Sequence, residues 1–309
     1  MYNLKLLTYP DQTRRLYFYE SMVQENHDAK PDRELNPFDG QWTRVESCAE
    51  PVRSEKAVEH SLNNSVSRTR QKVYDYSLAN DWEWFLTLTF DPKNPKVDRY
   101  SYGSCVHAMK MFLKNLRRWC PDVRYVFVPE KHKDGAFHFH GLIGGCEGLP
   151  VVSSGVFQHG KEVFNIPGYK YGFSTATRVQ SSRKAGAYLA KYISKDLCSV
   201  SKGRKRYWVS RNLNLPAREV MMVDFEEARE QILDNLFDSS SYYKHGSSYN
   251  GYGMHFFEFA PDCGVDFLAF RRWCVSFAVS VKDLLSGKYN SETIQTNPLS
   301  GGTPHFSVV

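Results

Sequence analysis

The chain has 309 residues, with 40 lysines and arginines against 34 aspartates and glutamates, and its mean hydropathy is −0.51. No apolar run approaches the roughly 18 residues of a membrane span, and the first five residues are not followed by a signal-peptide core. The seven cysteines are scattered without a C-x-x-C pair, which argues against a disulfide framework and against a cysteine zinc site. We therefore expect a globular cytoplasmic protein with no membrane partner.

The positive charge is concentrated in the middle of the chain. Residues 63–216 contain 25 basic against 11 acidic residues, whereas residues 1–62 contain 8 against 11 and residues 217–309 contain 7 against 12. We therefore divide the chain into an N-terminal extension of uncertain order (1–62), a basic domain (63–216) and an acidic, aromatic C-terminal region with a disordered tail (217–309). A basic block of this kind favours a polyphosphate-binding surface, although a solvated basic surface without a ligand has the same composition.

Hydrophobic periodicity and turn residues predict the secondary structure of the basic domain. In chain order we expect a helix at 65–78, a central strand at 82–90, a helix at 104–119, a hairpin of strands at 124–128 and up to 143, a variable region at 144–169, a strand at 171–179, a helix at 187–195 and a short strand at 207–209. The C-terminal region predicts an acidic helix at 225–237, a Ser/Tyr/Gly linker at 239–253 and an aromatic-rich helix at 267–285.

A histidine strand gives the first chemical signal. Because side chains alternate along a strand, His138 and His140 share one face, while Phe137 and Phe139 face the core. Across a tight hairpin, Glu130 lies near the position of His138, so a carboxylate can complete a metal site of two histidines and one acid. Glu130 can instead be a surface acid that pairs with a neighbouring lysine.

Two features leave their alternatives open. His132 lies on the same turn and can replace Glu130 as the third ligand, although the spacing and charge favour Glu130. On the central strand, Thr87 and Thr89 share a face that can meet a ligand backbone or can simply satisfy the sheet surface.

A second constellation lies on the helix at 187–195. At about 100° per residue, Tyr188, Lys191, Tyr192 and Lys195 fall on one face. Aromatic residues at this spacing often pack in a core with snorkelling lysines, but beside a metal-ligand strand they favour phosphoryl transfer to tyrosine. In that chemistry a tyrosine attacks a phosphate, and the metal and the lysines neutralise the charge that develops.

Three stretches in order, the strand at 85–90, Glu130 with His138 and His140, and the Tyr-x-x-Lys-Tyr-x-x-Lys helix, resemble the motifs of HUH endonucleases. The resemblance covers residues 65–210 and is closest to two-tyrosine rolling-circle replication initiators of phages and plasmids. It implies an α+β fold with a central antiparallel β-sheet and flanking helices, plus a mainly helical C-terminal extension. It also implies Mg²⁺ or Mn²⁺ at Glu130, His138 and His140, and nicking and rejoining of single-stranded or extruded origin DNA through a 5′-phosphotyrosine.

The same resemblance implies partners and DNA contacts. No Walker A motif is present in the sequence, so a helicase, like the polymerase, is expected to come from the bacterial host whose cytoplasm the protein occupies. We expect DNA contacts from the threonines and from basic side chains of the middle block, which are Thr87, Thr89, Lys131, Lys133, Arg183, Lys184, Lys202, Arg204, Lys205 and Arg206.

Other functions remain open at this point. A transposase of the same superfamily uses the same motifs. A non-catalytic RRM-like binder of single-stranded nucleic acid would stack bases on Phe85, Phe137, Phe139 and Trp208. An iron oxygenase with two histidines and one carboxylate fits less well, because the next acid after the histidines is Glu147 and the tyrosine helix is unexplained.

Overall fold

The computed structural model describes residues 1–23, 33–35, 42–44, 55–194, 197, 205–247 and 253–276. The chain divides into two compact units, one formed by residues 8–13 and 60–217 and the other by residues 1–7, 14–59 and 218–309. Both units combine β-sheet with helices, so the predicted α+β class is confirmed. None of the helices in these ranges has the length and apolar character that crossing a bilayer requires.

The larger unit is built on a seven-stranded sheet with the order β11-β6-β7-β5-β10-β9-β8. Its strands are β5 (Trp84–Phe90), β6 (Arg124–Lys131), β7 (Phe137–Gly144), β8 (Val152–Gln158), β9 (Lys161–Asn165), β10 (Gly172–Arg178) and β11 (Trp208–Val209). Its helices are α1 (Glu55–Leu78), α2 (Tyr102–Trp119) and α3 (Ser182–Lys191). The histidine strand β7 therefore lies between β6 and β5, and it pairs antiparallel with both.

The two faces of this sheet differ. Along β5, Trp84, Leu86, Leu88 and Phe90 are buried and the residues between them are partly exposed, as the alternation predicted. Phe137 and Phe139 are buried on the same side as the core, where Phe112 of α2 packs edge to face against Phe127. Helix α2 thus covers the apolar face, and the opposite face carries the histidines.

Three expectations for this unit need correction. The region 144–169 contains the hairpin of β8 and β9 and is not merely variable loop. The helix predicted at 187–195 is Ser182–Lys191, and Tyr192 is its C-cap. The expectation of no disulfide is wrong for one pair, since Cys120 and Cys146 are bonded with their Cα atoms 5.2 Å apart. Helix α2 ends at Cys120 and Cys146 follows β7, so the fold brings together two cysteines that are distant in sequence.

The smaller unit has a five-stranded sheet with the order β12-β1-β2-β14-β13. The strands are β1 (Tyr2–Thr8), β2 (Arg14–Val23), β12 (Ala217–Met221), β13 (Tyr242–Ser247) and β14 (Gly253–Phe259), with helices α4 (Phe225–Leu236) and α5 (Phe267–Ser276). A separate two-stranded sheet pairs β3 (Arg33–Leu35) with β4 (Trp42–Arg44). Leu4, Leu16, Phe18, Ile232 and Phe257 belong to one buried cluster of this unit.

The terminal regions therefore differ from expectation. The N-terminal prediction of uncertain order is wrong for β1 and β2, which share a sheet with C-terminal strands. The linker predicted at 239–253 is also wrong in part, because β13 lies within it. The C-terminal region contributes three strands beside its two helices, while the predicted disordered tail and the end of the helix at 267–285 lie outside the described residues.

Candidate active site

The histidines of β7 are held by the threonines of β5. Antiparallel pairing places Thr87 opposite His140 and Thr89 opposite His138. The Thr87 Oγ1 lies 3.0 Å from His140 Nδ1, and the Thr89 Oγ1 lies 2.9 Å from His138 Nδ1. We predicted that this threonine face meets DNA, but its hydroxyls are hydrogen-bonded to the imidazoles. Such a partner on Nδ1 fixes the ring and leaves Nε2 as the metal-ligating nitrogen.

Glu130 meets His140 through the neighbouring strand. Its register partner on β7 is His138, yet its Oε2 lies 2.8 Å from His140 Nε2 and 3.1 Å from His132 Nε2. The imidazole of His132 stacks on that of His138, with centroids 3.7 Å apart. Both candidates for the third ligand therefore belong to one cluster with the histidine pair.

Burial keeps the two histidines neutral. The pKa of His138 is lowered to about 4, chiefly by burial and also by the nearby His132 and His140, against the opposing carboxylates of Glu130 and Asp134. Burial also lowers the pKa of His140, although its hydrogen bond to Glu130 acts in the opposite direction. For Glu130, burial raises the pKa, but the hydrogen bond and charge of His140 outweigh it, so the pKa is lowered. Neutral imidazoles beside an ionised carboxylate are the protonation states that metal binding requires.

The donor set fits a divalent ion in part of its geometry. Neighbouring ligands of an octahedral ion at about 2.0–2.1 Å lie ~3 Å apart, and Glu130 Oε2 and His140 Nε2 are 2.8 Å apart. The candidate atoms of Glu130, His138 and His140, all within the described ranges, do not lie within 4.8 Å of one another as a set. The chemistry of the three residues therefore suits an ion, and His138 has to approach the other two to share it.

The tyrosine helix reaches the same site. Ser181 caps α3, where its side chain accepts a hydrogen bond from the Lys184 N–H. The Tyr188 and Tyr192 rings lie 5.3 Å apart, with their planes at 87°. The Tyr192 ring stacks on the His140 imidazole at 3.6 Å and 8°. Two motifs that are separated in sequence are thus in direct contact.

Helix α1 holds the tyrosine helix in place. The Arg70 Nε–H donates to the Ile193 carbonyl at 2.9 Å, directly after Tyr192. Gly186 packs so tightly on the Ser77 side chain of α1 that a Cβ at this position would collide with it. The absence of a side chain at 186 therefore sets the close approach of α3 to α1 and, with it, the position of both tyrosines.

The two tyrosines have different environments. Burial raises the pKa of Tyr192, and its hydrogen bond with Tyr188 and the negative charge of Glu130 raise it further. Tyr188 is 49% exposed, and its ring contacts Phe85 at 5.4 Å. The Lys191 Nζ lies 5.7 Å from the Tyr188 centroid. Lys195, the fourth member of the predicted face, lies outside the described residues.

A groove of about 340 Å³ continues from the tyrosines along the sheet. It is lined by polar, basic and aromatic side chains of β5, β9, β10 and α3, among them Phe85, Lys161, Thr175, Thr177 and Lys184. Lys184, a predicted DNA contact, therefore lies beside the proposed nucleophiles. Lys161, Thr175 and Thr177 were not identified from the sequence, because nothing local marks them as neighbours of Tyr188.

An exposed aromatic residue near the site was also missed. Phe173 is 63% exposed on β10, and it pairs across β5 with Thr89, which in turn pairs with His138. Cross-strand partners share a face, so Phe173 lies on the histidine face of the sheet. The signal was available, since the alternation of β10 places it opposite buried Ser174 and Ala176.

The remaining basic residues are spread over several places. Lys131 and Lys133 are exposed in the β6–β7 turn. Arg183 donates to the Thr13 hydroxyl at 3.1 Å. Lys205 and Arg206 line a different cavity, together with Thr69, Tyr125 and Trp208, and share no lining residue with the groove at Tyr188. Lys202 and Arg204 lie outside the described residues.

The burial of aromatic residues bears on the RRM-like alternative. Of its four predicted stacking platforms, Phe137, Phe139 and Trp208 are buried, and only Phe85 is partly exposed. A base can stack on an aromatic side chain only where the ring face is accessible. Three of those four assignments are therefore wrong.

A family model described as Replication-associated protein ORF2 matches residues 83–197. The matched segment begins just before β5 and contains Glu130, both histidines and both tyrosines of the cluster. No curated protein and no solved structure matches the chain. The family match supports a role in replication.

Proposed function

We propose that the protein is a rolling-circle replication initiator of the two-tyrosine HUH type, which nicks and rejoins single-stranded origin DNA. The observation that carries the proposal is the stack of Tyr192 on His140, which brings a phenol to a carboxylate and histidine cluster. The match to a replication-associated family over residues 83–197 supports the same interpretation. In this proposal Glu130, His138 and His140 hold Mg²⁺ or Mn²⁺, which supplies Lewis-acid charge for the scissile phosphate.

The reaction is a transesterification. The phenol oxygen of one tyrosine loses its proton and forms a bond to the phosphorus, while the bond from phosphorus to the 3′-oxygen breaks. The 3′-oxygen takes up a proton, and the 5′-phosphate remains on the tyrosine. One phosphodiester replaces another, so the reverse reaction rejoins the strand. The free 3′-OH then serves a host polymerase, and a host helicase separates the strands.

The residues of the cluster have distinct roles in this proposal. The raised pKa of Tyr192 keeps its phenol neutral until positive charge arrives beside it. Lys191 lies next to Tyr188 and supplies part of that charge. Tyr188 and Tyr192 lie in contact, so one can hold a 5′-phosphate while the other attacks the next junction.

The decisive experiment uses the full chain, circular single-stranded DNA that contains the cognate origin, and Mn²⁺. Denaturing gels detect the protein–DNA adduct, and mass spectrometry of the nuclease-digested adduct identifies the modified tyrosine. We expect an adduct on Tyr188 or Tyr192 that EDTA prevents. The double variant Tyr188→Phe, Tyr192→Phe should form none, while the control Tyr100→Phe, an exposed tyrosine outside the cluster, should react normally.

Cleavage that persists in the double variant would overturn the proposal. Salt-dependent DNA binding without any adduct or EDTA effect would instead favour a non-catalytic binder.

A further inference from the structure

A second group of metal-ligating side chains lies in the smaller unit. Glu20 of β2, His245 of β13 and His255 of β14 offer ligand atoms that all lie within 4.8 Å of one another. The three strands are adjacent in the sheet, with His245 directly opposite His255. The nicking site proposed above uses none of these residues.

The distances suit a small ion. Glu20 Oε1 lies 2.8 Å from His245 Nε2 and 3.8 Å from His255 Nε2. Ligands about 2.0–2.1 Å from a tetrahedral Zn²⁺ ion lie ~3.3 Å apart, so the two separations bracket this value. The two imidazoles lie side by side, with centroids 4.4 Å apart and planes inclined by 16°.

His255 provides an independent indication. Its side chain is only 4% exposed, and its Nε2 is buried without a hydrogen-bond partner in the structure. Its Nδ1 is engaged, because the Tyr243 hydroxyl lies 2.8 Å away. A buried polar atom without a partner is costly and uncommon. Here it points toward the carboxylate, with the opposite ring nitrogen oriented as in metal sites.

The surroundings leave room for the carboxylate and favour a neutral imidazole. A Cβ at Gly253 would collide with the Glu20 carboxylate, so only glycine lets this acid occupy its place. Burial lowers the pKa of His255, and His245 and Arg229 lower it further while Glu20 opposes them, so the imidazole is neutral and able to act as a ligand. The positive charge of Arg229 on α4 weakens the attraction for a cation, and the carboxylate of Glu20 opposes it.

We propose that Glu20, His245 and His255 form a second metal site, which binds a divalent transition metal of the Zn²⁺ class and ties β2, β13 and β14 together. Two imidazoles with one carboxylate suit zinc and its neighbours, whereas Mg²⁺ prefers oxygen ligands. Because Glu20 and His245 are 225 residues apart in sequence, a bound ion cross-links segments from both ends of the chain.

The test measures zinc binding by the full chain after EDTA treatment and removal of the chelator. Equilibrium dialysis with elemental analysis gives the number of zinc ions per chain. His245→Gln and Glu20→Gln are suitable variants, because both side chains are partly exposed and their replacement leaves the core intact. His107→Gln, an exposed histidine of α2, is the matched control. We expect the number to fall by one per chain in both variants and to stay unchanged in the control.

A second readout is thermal unfolding. Free zinc at about 100 times the dissociation constant should raise Tm by roughly 5–10 °C, and the two variants should lose this shift. Gly253→Ala should weaken zinc binding about 10- to 100-fold by displacing Glu20, whereas Gly246→Ala on the neighbouring strand should not. Equal zinc binding by the wild type and both ligand variants, or no zinc shift in the wild type, would overturn the proposal.

Discussion

The phenol ring of Tyr192 lies flat on the imidazole of His140, with centroids 3.6 Å and planes 8° apart. His140 is simultaneously hydrogen-bonded to Thr87 and Glu130, so its ring is fixed on both edges and covered on one face. This single imidazole therefore couples the proposed nucleophile to the proposed metal ligands. Variants of its neighbours can separate their contributions.

The first prediction concerns the stack itself. Tyr192→Phe preserves the ring on His140 and should leave the Mn²⁺ affinity unchanged, whereas Tyr192→Leu should weaken it about 2- to 10-fold, since an aromatic pair contributes about 0.5–1.5 kcal/mol. Both variants should lose any adduct at position 192. Isothermal titration with Mn²⁺ checks the affinities, and an equal loss in both variants would show that the hydroxyl and not the ring matters.

The second prediction concerns the threonines. Thr87→Val and Thr89→Val remove the hydroxyls that orient His140 and His138, so each should lower Mn²⁺ affinity about 10- to 100-fold. The corresponding serine variants should retain most of the affinity. Thr175→Val, in the cross-strand partner of Thr87, is the control. Normal affinity in both valine variants would mean that the threonines serve only the sheet surface.

The third prediction distinguishes Glu130 from His132 as the third ligand. Glu130→Gln keeps the shape but removes the charge, and it should reduce Mn²⁺ affinity ~100-fold or more because losing a direct ligand costs more than losing a residue that only orients one. His132→Gln should change the affinity much less, since its imidazole contacts Glu130 and stacks on His138. The reverse order of effects in the same titration would assign the third ligand to His132.

The fourth prediction concerns Phe173, which is exposed on the histidine face. Phe173→Ala should weaken the binding of single-stranded DNA by about 1–3 kcal/mol if a base stacks on this ring. Mn²⁺ affinity should be unchanged, because Phe173 is not among the proposed ligands or the threonines that orient them. Phe157→Ala is the matched control, since Phe157 is similarly exposed but lies on the outermost strand β8. Fluorescence anisotropy with labelled DNA measures both losses of affinity, and equal losses would argue against a base site at Phe173.

The fifth prediction concerns the close contact of α3 with α1. Gly186→Ala places a methyl group against Ser77 and should destabilise the larger unit by about 1–3 kcal/mol, as overpacking does. Gly148→Ala, where no atom lies within reach of the new Cβ, should have little effect. Urea unfolding of both variants provides the comparison. An unchanged midpoint for Gly186→Ala would show that α3 can shift away from α1 at no cost.

Local patterns in the sequence were sufficient for the core of the larger unit. The alternation along β5, the amphipathic period of α2 and the histidine strand were all predicted, because period-two and period-3.6 burial is written into neighbouring residues. The proximity of Glu130 to the histidine pair and of the two tyrosines to each other was also predictable, since a tight hairpin fixes register and one helical turn fixes spacing.

Long-range contacts were beyond the reach of the sequence. The partner of Cys120 is Cys146 because α2 and β7 end side by side, and no spacing rule encodes that. Likewise Glu20, His245 and His255 look like unrelated polar residues until β2, β13 and β14 pair in one sheet. The sequence by itself determined which short segments carry chemistry. Only the tertiary structure decided which distant segments meet, because pairing partners are chosen by the burial of whole faces and not by local propensity.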